Sequence, residues 1–145
     1  MTLIARLSSA LLILLMLAGC GASNVPSFVA GESLQRIEVT NDQTGHKGVA
    51  SKDNDNLNEL LNLLHLGDIT ADSRSDAPVP TTSVYTVVAY DQSQSLWTVF
   101  VPDNPQSNRI YFSDAVHPDN SGIYSLKQPI QTADLDQFVQ KYPAS

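Results

Sequence analysis

Two neighbouring runs constrain this chain more than anything else in it. Val84-Tyr85-Thr86-Val87-Val88-Ala89-Tyr90 is apolar or aromatic at almost every position, and Leu96-Trp97-Thr98-Val99-Phe100-Val101 repeats that character after a polar break. Runs this short, dominated by β-branched and aromatic side chains, suit a pleated surface better than a helix. Apolar side chains on both faces are what a central strand carries. Asp91-Gln92-Ser93-Gln94 between them is turn chemistry, so the pair predicts a hairpin.

Weaker signals extend the sheet. Leu34, Ile37 and Val39 mark a strand, Asn41-Asp42-Gln43-Thr44-Gly45 a turn, and His46 to Ala50 a returning strand that Gly48 interrupts. Arg109 to Phe112 and Ile123 to Leu126 read as two further strands, separated by a loop over 114–122. Residues 67–82, polar and with two prolines, read as a long connection.

Two stretches carry helical spacing instead. Leu57, Leu60, Leu61 and Leu64 fall at i, i+3, i+4 and i+7, with Leu63 and Leu66 widening the stripe. Asn56 is the expected cap with Glu59 as its capping-box partner, Asp53 and Asp55 suit the positive end of the dipole, and Gly67 is the expected stop. Near the end of the chain Leu135, Phe138, Val139 and Tyr142 repeat the spacing, with Thr132 as expected cap and Pro143 as terminator. The order ββ-α-ββββ-α predicts an α+β domain, an antiparallel sheet with two helices packed on one face. A small barrel-like sheet with peripheral helices is the alternative.

The first 20 residues follow another logic. Arg6 is followed by a short apolar core ending at Met16, too short to span a bilayer, which takes about 20 apolar residues. Basic start, short apolar core and small residues at its end describe a cleavable signal. Leu17-Ala18-Gly19-Cys20 resembles the lipobox of bacterial prolipoproteins. That resemblance implies a diacylglyceryl group on the Cys20 thiol, cleavage between Gly19 and Cys20, and often acylation of the new amino group. Two acyl chains are enough for stable anchoring, at about 0.8 kcal/mol per buried methylene. In that family an Asp after the cysteine retains the protein at an inner membrane, and Gly21 stands there instead. The resemblance therefore implies the extracytoplasmic face of the cell membrane, or the outer membrane in a two-membrane cell. Domain organisation follows: residues 1–19 a signal peptide, 20–33 a lipidated start and flexible tether, and 34–145 one domain. In layout the domain resembles small lipoproteins of Gram-positive, spore-forming bacteria, a likeness that implies no active site.

Charge narrows the partners. The chain carries −7, and loss of Arg6 makes it more acidic still. No Lys/Arg cluster interrupts that sign, so binding to nucleic acid or electrostatic attachment to an anionic bilayer is disfavoured. Cys20 is the only cysteine, which rules out an intrachain disulfide and commits the only thiol to the lipid. Membrane contact is expected through that lipid alone.

Candidate chemistry is sparse. Asp53-Asn54-Asp55-Asn56 invites a calcium loop, but an EF-hand starting at Asp53 would need Gly at 58 and Glu at 64, where Asn58 and Leu64 stand. Asp114, His117, Asp119 and Asn120 lie close in sequence, yet with Pro118 and Gly122 they are also what a long hairpin loop requires. His46, His65 and His117 are widely spaced, and neither HExxH, GxSxG, SxxK nor a phosphate-binding glycine loop occurs. No catalytic residue, metal or cofactor is expected. The aromatics concentrate in the sheet, and alternation leaves one set away from the helices, read here as Tyr85, Trp97 and Tyr111. If that face is bare it is a binding surface; ordinary cross-strand pairs on a covered face are the alternative. The sequence thus leads to a non-enzymatic, lipid-anchored interaction module for an envelope protein or small ligand. An envelope hydrolase, or an inhibitor of one, using polar loop residues near His117 is the competing reading.

Overall fold

The computed structural model describes Val29, Gly31 and residues 33–74 and 78–145. The leader, Gly19, Cys20 and the tether up to residue 28 lie outside the described residues.

Strands β1 (Arg36–Asn41), β2 (Lys47–Ser51), β3 (Thr70–Arg74), β4 (Tyr85–Tyr90), β5 (Ser95–Val101), β6 (Arg109–Asp114) and β7 (Gly122–Ser125) form one seven-stranded sheet in the order β2-β1-β4-β5-β6-β7-β3. Every pairing is antiparallel, and the sheet is open, with β2 at one end and β3 at the other. Helices α1 (Leu57–Leu63) and α2 (Thr132–Lys141) complete the α+β fold.

Register shows where the core sits, because residues directly opposite in a sheet share a face. Ala50, Ile37, Ala89 and Trp97 form one row across four strands; Val39, Val87, Val99 and Phe112 form the next. Both rows are buried, and Leu60, Leu61 and Leu64 from the first helical stripe join Leu135, Phe138 and Val139 from the second in the same apolar cluster. Each fully buried side chain of this kind contributes about 1.5–3 kcal/mol. Trp97 and Phe112 lie 5.7 Å apart by ring centroids, and Phe112 meets Tyr124 edge-on at 5.7 Å.

The turn over 41–46 forms as its chemistry predicts. Asn41 Oδ1 accepts the N–H groups of Gln43 and Thr44, both at 3.0 Å, and Gly45 takes φ +76°, which glycine adopts without strain. Gly48 does not break β2. A Cβ there would stand 2.9 Å from Val139 Cα, so glycine lets α2 lie directly on the strand. Beyond α2 the chain folds back on the same edge: Val49 N–H donates to Tyr142 O and Ala144 N–H to Lys47 O, both at 2.9 Å. Glu59 anchors this return, accepting from Tyr142 Oη at 2.8 Å and Lys141 Nζ at 3.1 Å, contacts that hold its carboxyl below the usual range.

Several local expectations are corrected. Asn56 precedes α1 but does not cap it with its side chain. Only 2% exposed, it accepts Ser51 N–H at 2.8 Å and donates to Val49 O at 3.3 Å, satisfying backbone groups of β2 that a free edge would leave open. The helix ends at Leu63, and the left-handed residue after it is His65 (φ +53°), not Gly67, which sits in a 3-10 turn over Leu66–Asp68. Gln131 holds the N-cap position of α2, and Thr132 is its first helical residue. The connection over 67–82 contains β3, which pairs with β7 across a register shift between Ala71 and Ser73. The tether boundary moves as well. Val29 is fully buried, and its carbonyl accepts Trp97 Nε1–H at 2.8 Å, so the packed domain reaches back past residue 34.

Candidate functional site

The face of the sheet opposite the helices is mostly polar. One of its rows runs Thr40, Thr86, Phe100, Tyr111 and Ile123, and it changes character halfway, from threonines on β1 and β4 to large apolar groups on β5, β6 and β7. Phe100 and Tyr111 are direct cross-strand partners, edge to face with centroids 6.0 Å apart. Over this apolar half runs the 78–82 segment. Pro78, Pro80 and Thr82 line a cavity of about 200 Å³ with Phe100, Tyr111 and Ile123, and Pro102, Ser107 and Arg109 complete its lining. Proline holds φ near −65°, which stiffens the wall such a segment makes.

The groove forms here for topological reasons. The chain must travel from β3, at one end of the sheet, back to β4, the third strand from the other. The helices pack on the inner face against β1 and β2, and the described part of this connection lies on the outer one. Its prolines cannot donate hydrogen bonds, so they pack against an apolar row without leaving a backbone donor unpaired.

Of the three aromatics expected on an exposed face, the structure brings only Tyr111 to the outer one. Tyr85 and Trp97 are each 1% exposed and belong to the inner rows with Val87 and Val99. Alternation was the right rule with the wrong phase: Thr86 and Thr98 are the outward positions of β4 and β5, and that polar pair was the available signal. Phe100, the outward aromatic of β5, was missed for the same reason. Tyr111 itself is only 7% exposed, because Phe100 and the proline segment flank it. The surface is a narrow groove, not a bare aromatic face.

The three remaining polar clusters serve the scaffold. Tyr85 reaches the edge of the core, where its hydroxyl donates to Asp136 and accepts from Asn41 Nδ2 at 3.0 Å. Burial, followed by the hydrogen bond to Asp136, pushes the phenol up to about 12. In the 114–122 loop, Asp114 is 5% exposed. Its Oδ1 accepts the backbone N–H groups of Val116 and His117 at 2.9 and 2.7 Å, and Oδ2 accepts Asn120 Nδ2 at 3.1 Å. The bond to His117 is to its main chain, not its imidazole, so these residues are ordered as a loop, without an acid–base pair. The 53–56 run is a turn closed by Asp55 N–H on Lys52 O at 3.2 Å, with Asp55 at φ +54°. Among the described residues no group of three His, Cys, Asp or Glu side chains is placed to hold a metal ion. None of the described helices is long and apolar enough to cross a membrane.

No family model matches the chain, and no curated protein matches it. Among solved structures, similarity was found to a chain described as "Putative Lipoprotein from Clostridium perfringens", at 13% identity and a TM-score of 0.42, over 74% of this chain and 82% of that one.

Proposed function

We propose that this protein is a lipid-anchored, non-enzymatic binding module of the bacterial envelope, with the groove between the 78–82 segment and the outer face of β5–β7 as its ligand site. The observation that carries the reading is the cavity of about 200 Å³ on Phe100, Tyr111 and Ile123. There a row of large apolar side chains meets a concave wall, and concave, mostly apolar sites with a few polar groups are the usual form of small-ligand pockets. The hydrolase alternative needs an imidazole beside a carboxylate, and the most buried carboxylate of its loop, Asp114, is already engaged by two backbone N–H groups and an amide.

The anchor rests on the sequence Leu17-Ala18-Gly19-Cys20. Attachment through lipid frees the domain from carrying a basic surface, in keeping with its charge of −7. Two experiments test the two halves. Cys20→Ala should leave an unprocessed precursor on a gel, and normal maturation of that variant would remove the anchor. Methyl-resolved NMR of the full chain with a library of small apolar fragments should shift Ile123 selectively, and shifts confined to other surfaces would move the binding site elsewhere.

A further inference from the structure

We infer that the domain turns to the bilayer the strand ends where the chain enters it, and presents the 78–82 groove to the aqueous side. The inference rests on the lipid-anchor reading above and adds an orientation to it. The entry point comes first. Val29 is fully buried and its carbonyl accepts Trp97 Nε1–H at 2.8 Å, so the chain is fastened under the inner face of β5. It then passes Gly31, whose carbonyl accepts Leu34 N–H at 3.0 Å, and reaches β1 where Gln35 N–H donates to Tyr90 O at 2.9 Å. Gly31 and Leu34 line a hollow with Ser51, Lys52, Asp55 and Leu57. The start of β1, the end of β2, the end of β4 and the start of β5 thus mark one end of the sheet as the place of entry.

The groove lies towards the opposite end and on the opposite face. Phe100, Pro102, Ser107 and Arg109 belong to the end of β5, the loop after it and the start of β6. Phe100 stands four residues beyond Leu96 on β5, about 13 Å along the strand. The sheet itself separates Val29 from the 78–82 segment, about 20 Å at roughly 10 Å per packed layer. Covalent length then decides. Nine residues separate Val29 from Cys20, which is at most about 30 Å of chain in any conformation. From the entry end a short path reaches the bilayer. A route round the edge of the sheet to the groove takes nearly the whole length, and a chain drawn that tight gives up its conformational entropy. Charge does not oppose this stance: Arg36 and Lys52 share the entry end with Asp53, Asp55 and Asp91, and headgroup forces on them are screened beyond about 8 Å. A ligand of the groove then arrives from solution, not by lateral diffusion in the bilayer.

The test uses the full chain, matured in a lipoprotein-processing bacterium and labelled at isoleucine, leucine and valine methyl groups. It is placed in phosphatidylcholine nanodiscs with and without a gadolinium-chelate headgroup lipid. Leu34 and Leu57 report the entry end; Ile123 and the exposed Val79 report the groove. With about 13 Å of strand between the two sets and a sixth-power fall with distance, broadening at Leu34 and Leu57 should exceed that at Val79 and Ile123 about fivefold. A glycine–serine insert of about 20 residues after Gly21 should flatten the gradient, because the reach then exceeds the size of the domain. Equal broadening of both sets in the parent protein, or more at the groove, would overturn the orientation and leave the anchor standing. A gradient that survives the insert would assign the orientation to the domain's surface, not to its entry point, and would also overturn the inference. Protein that stays out of the discs would overturn the anchor reading, and the orientation with it.

Discussion

The two faces of this sheet use similar residues to opposite ends. Inside, Trp97 and Phe112 sit among valines and leucines with essentially no exposure, and even the one indole N–H is matched by the carbonyl of Val29. Outside, Phe100 and Tyr111 pair edge-on just as closely, but their cover is a single proline-bearing segment and a cavity remains beneath it. An aromatic enclosed in the core contributes to stability in proportion to the surface it buries. One under a strap leaves concave surface that a ligand can fill. The contrast puts the proposed site where packing is incomplete, on the same strands that build the core.

That contrast breaks most visibly at Trp97. Trp97→Ala removes the largest fully buried side chain and leaves the Val29 carbonyl without its donor, so it should cost about 3–5 kcal/mol. Phe100→Ala, its neighbour three residues on, should cost well under half as much, because Phe100 is half-buried. Urea unfolding of the two variants measures the difference, and equal losses would mean that the outer row is as much core as the inner one. Gly48 sharpens the comparison from the helix side. Gly48→Ala pushes a methyl to 2.9 Å from the Val139 backbone, which must shift, at a cost of about 1–3 kcal/mol. The outer face should be untouched by it, so ligand shifts at Ile123 should survive the substitution at a temperature where the variant is still folded. Their loss would show that the two faces are not independent.

How legible each face was in the sequence follows from what each depends on. The inner face depends on periodicity, and the hairpin of β4 and β5, the leucine stripe of α1 and the stripe of α2 all stand where their spacing puts them. What periodicity does not carry is phase when both sets of positions are apolar. Pattern alone therefore places Tyr85 and Trp97 outside, although Thr86 and Thr98 mark the solvent side. Edge structure was equally hard to see. β3 (Thr70–Arg74) has no apolar alternation, because its pairing with β7 is made by backbone groups that leave no mark on composition. Asn56 reads as a cap from its place before a helix, whereas its amide is used to close the β2 edge. The groove was the least legible feature. Phe100, Tyr111, Ile123 and Pro80 are brought together by three strand registers and a crossing loop, and nothing local to any of them announces the others.

The finest test of the boundary between core and surface is Tyr85, whose ring belongs to the inner face and whose hydroxyl reaches the Asn41–Asp136 pair at its rim. Tyr85→Phe keeps the ring and removes a hydrogen-bonding network whose other members are only partly buried, so at neutral pH it should cost about 0.5–1.5 kcal/mol. Its signature is in the pH dependence. The folded state holds the phenolic proton up to about 12, against an ordinary value of 10.0. Between those values the native protein binds more protons than the unfolded chain, so stability from this group is complete below pH 10 and declines as pH rises towards 12. The phenylalanine variant has no proton to lose there. The stability gap between the two proteins, measured by urea midpoints, should therefore narrow across that window. A gap that stays constant from neutral pH to 12 would mean that the Tyr85 hydroxyl is as well solvated in the folded protein as in the unfolded chain, and that the inner face ends at the ring.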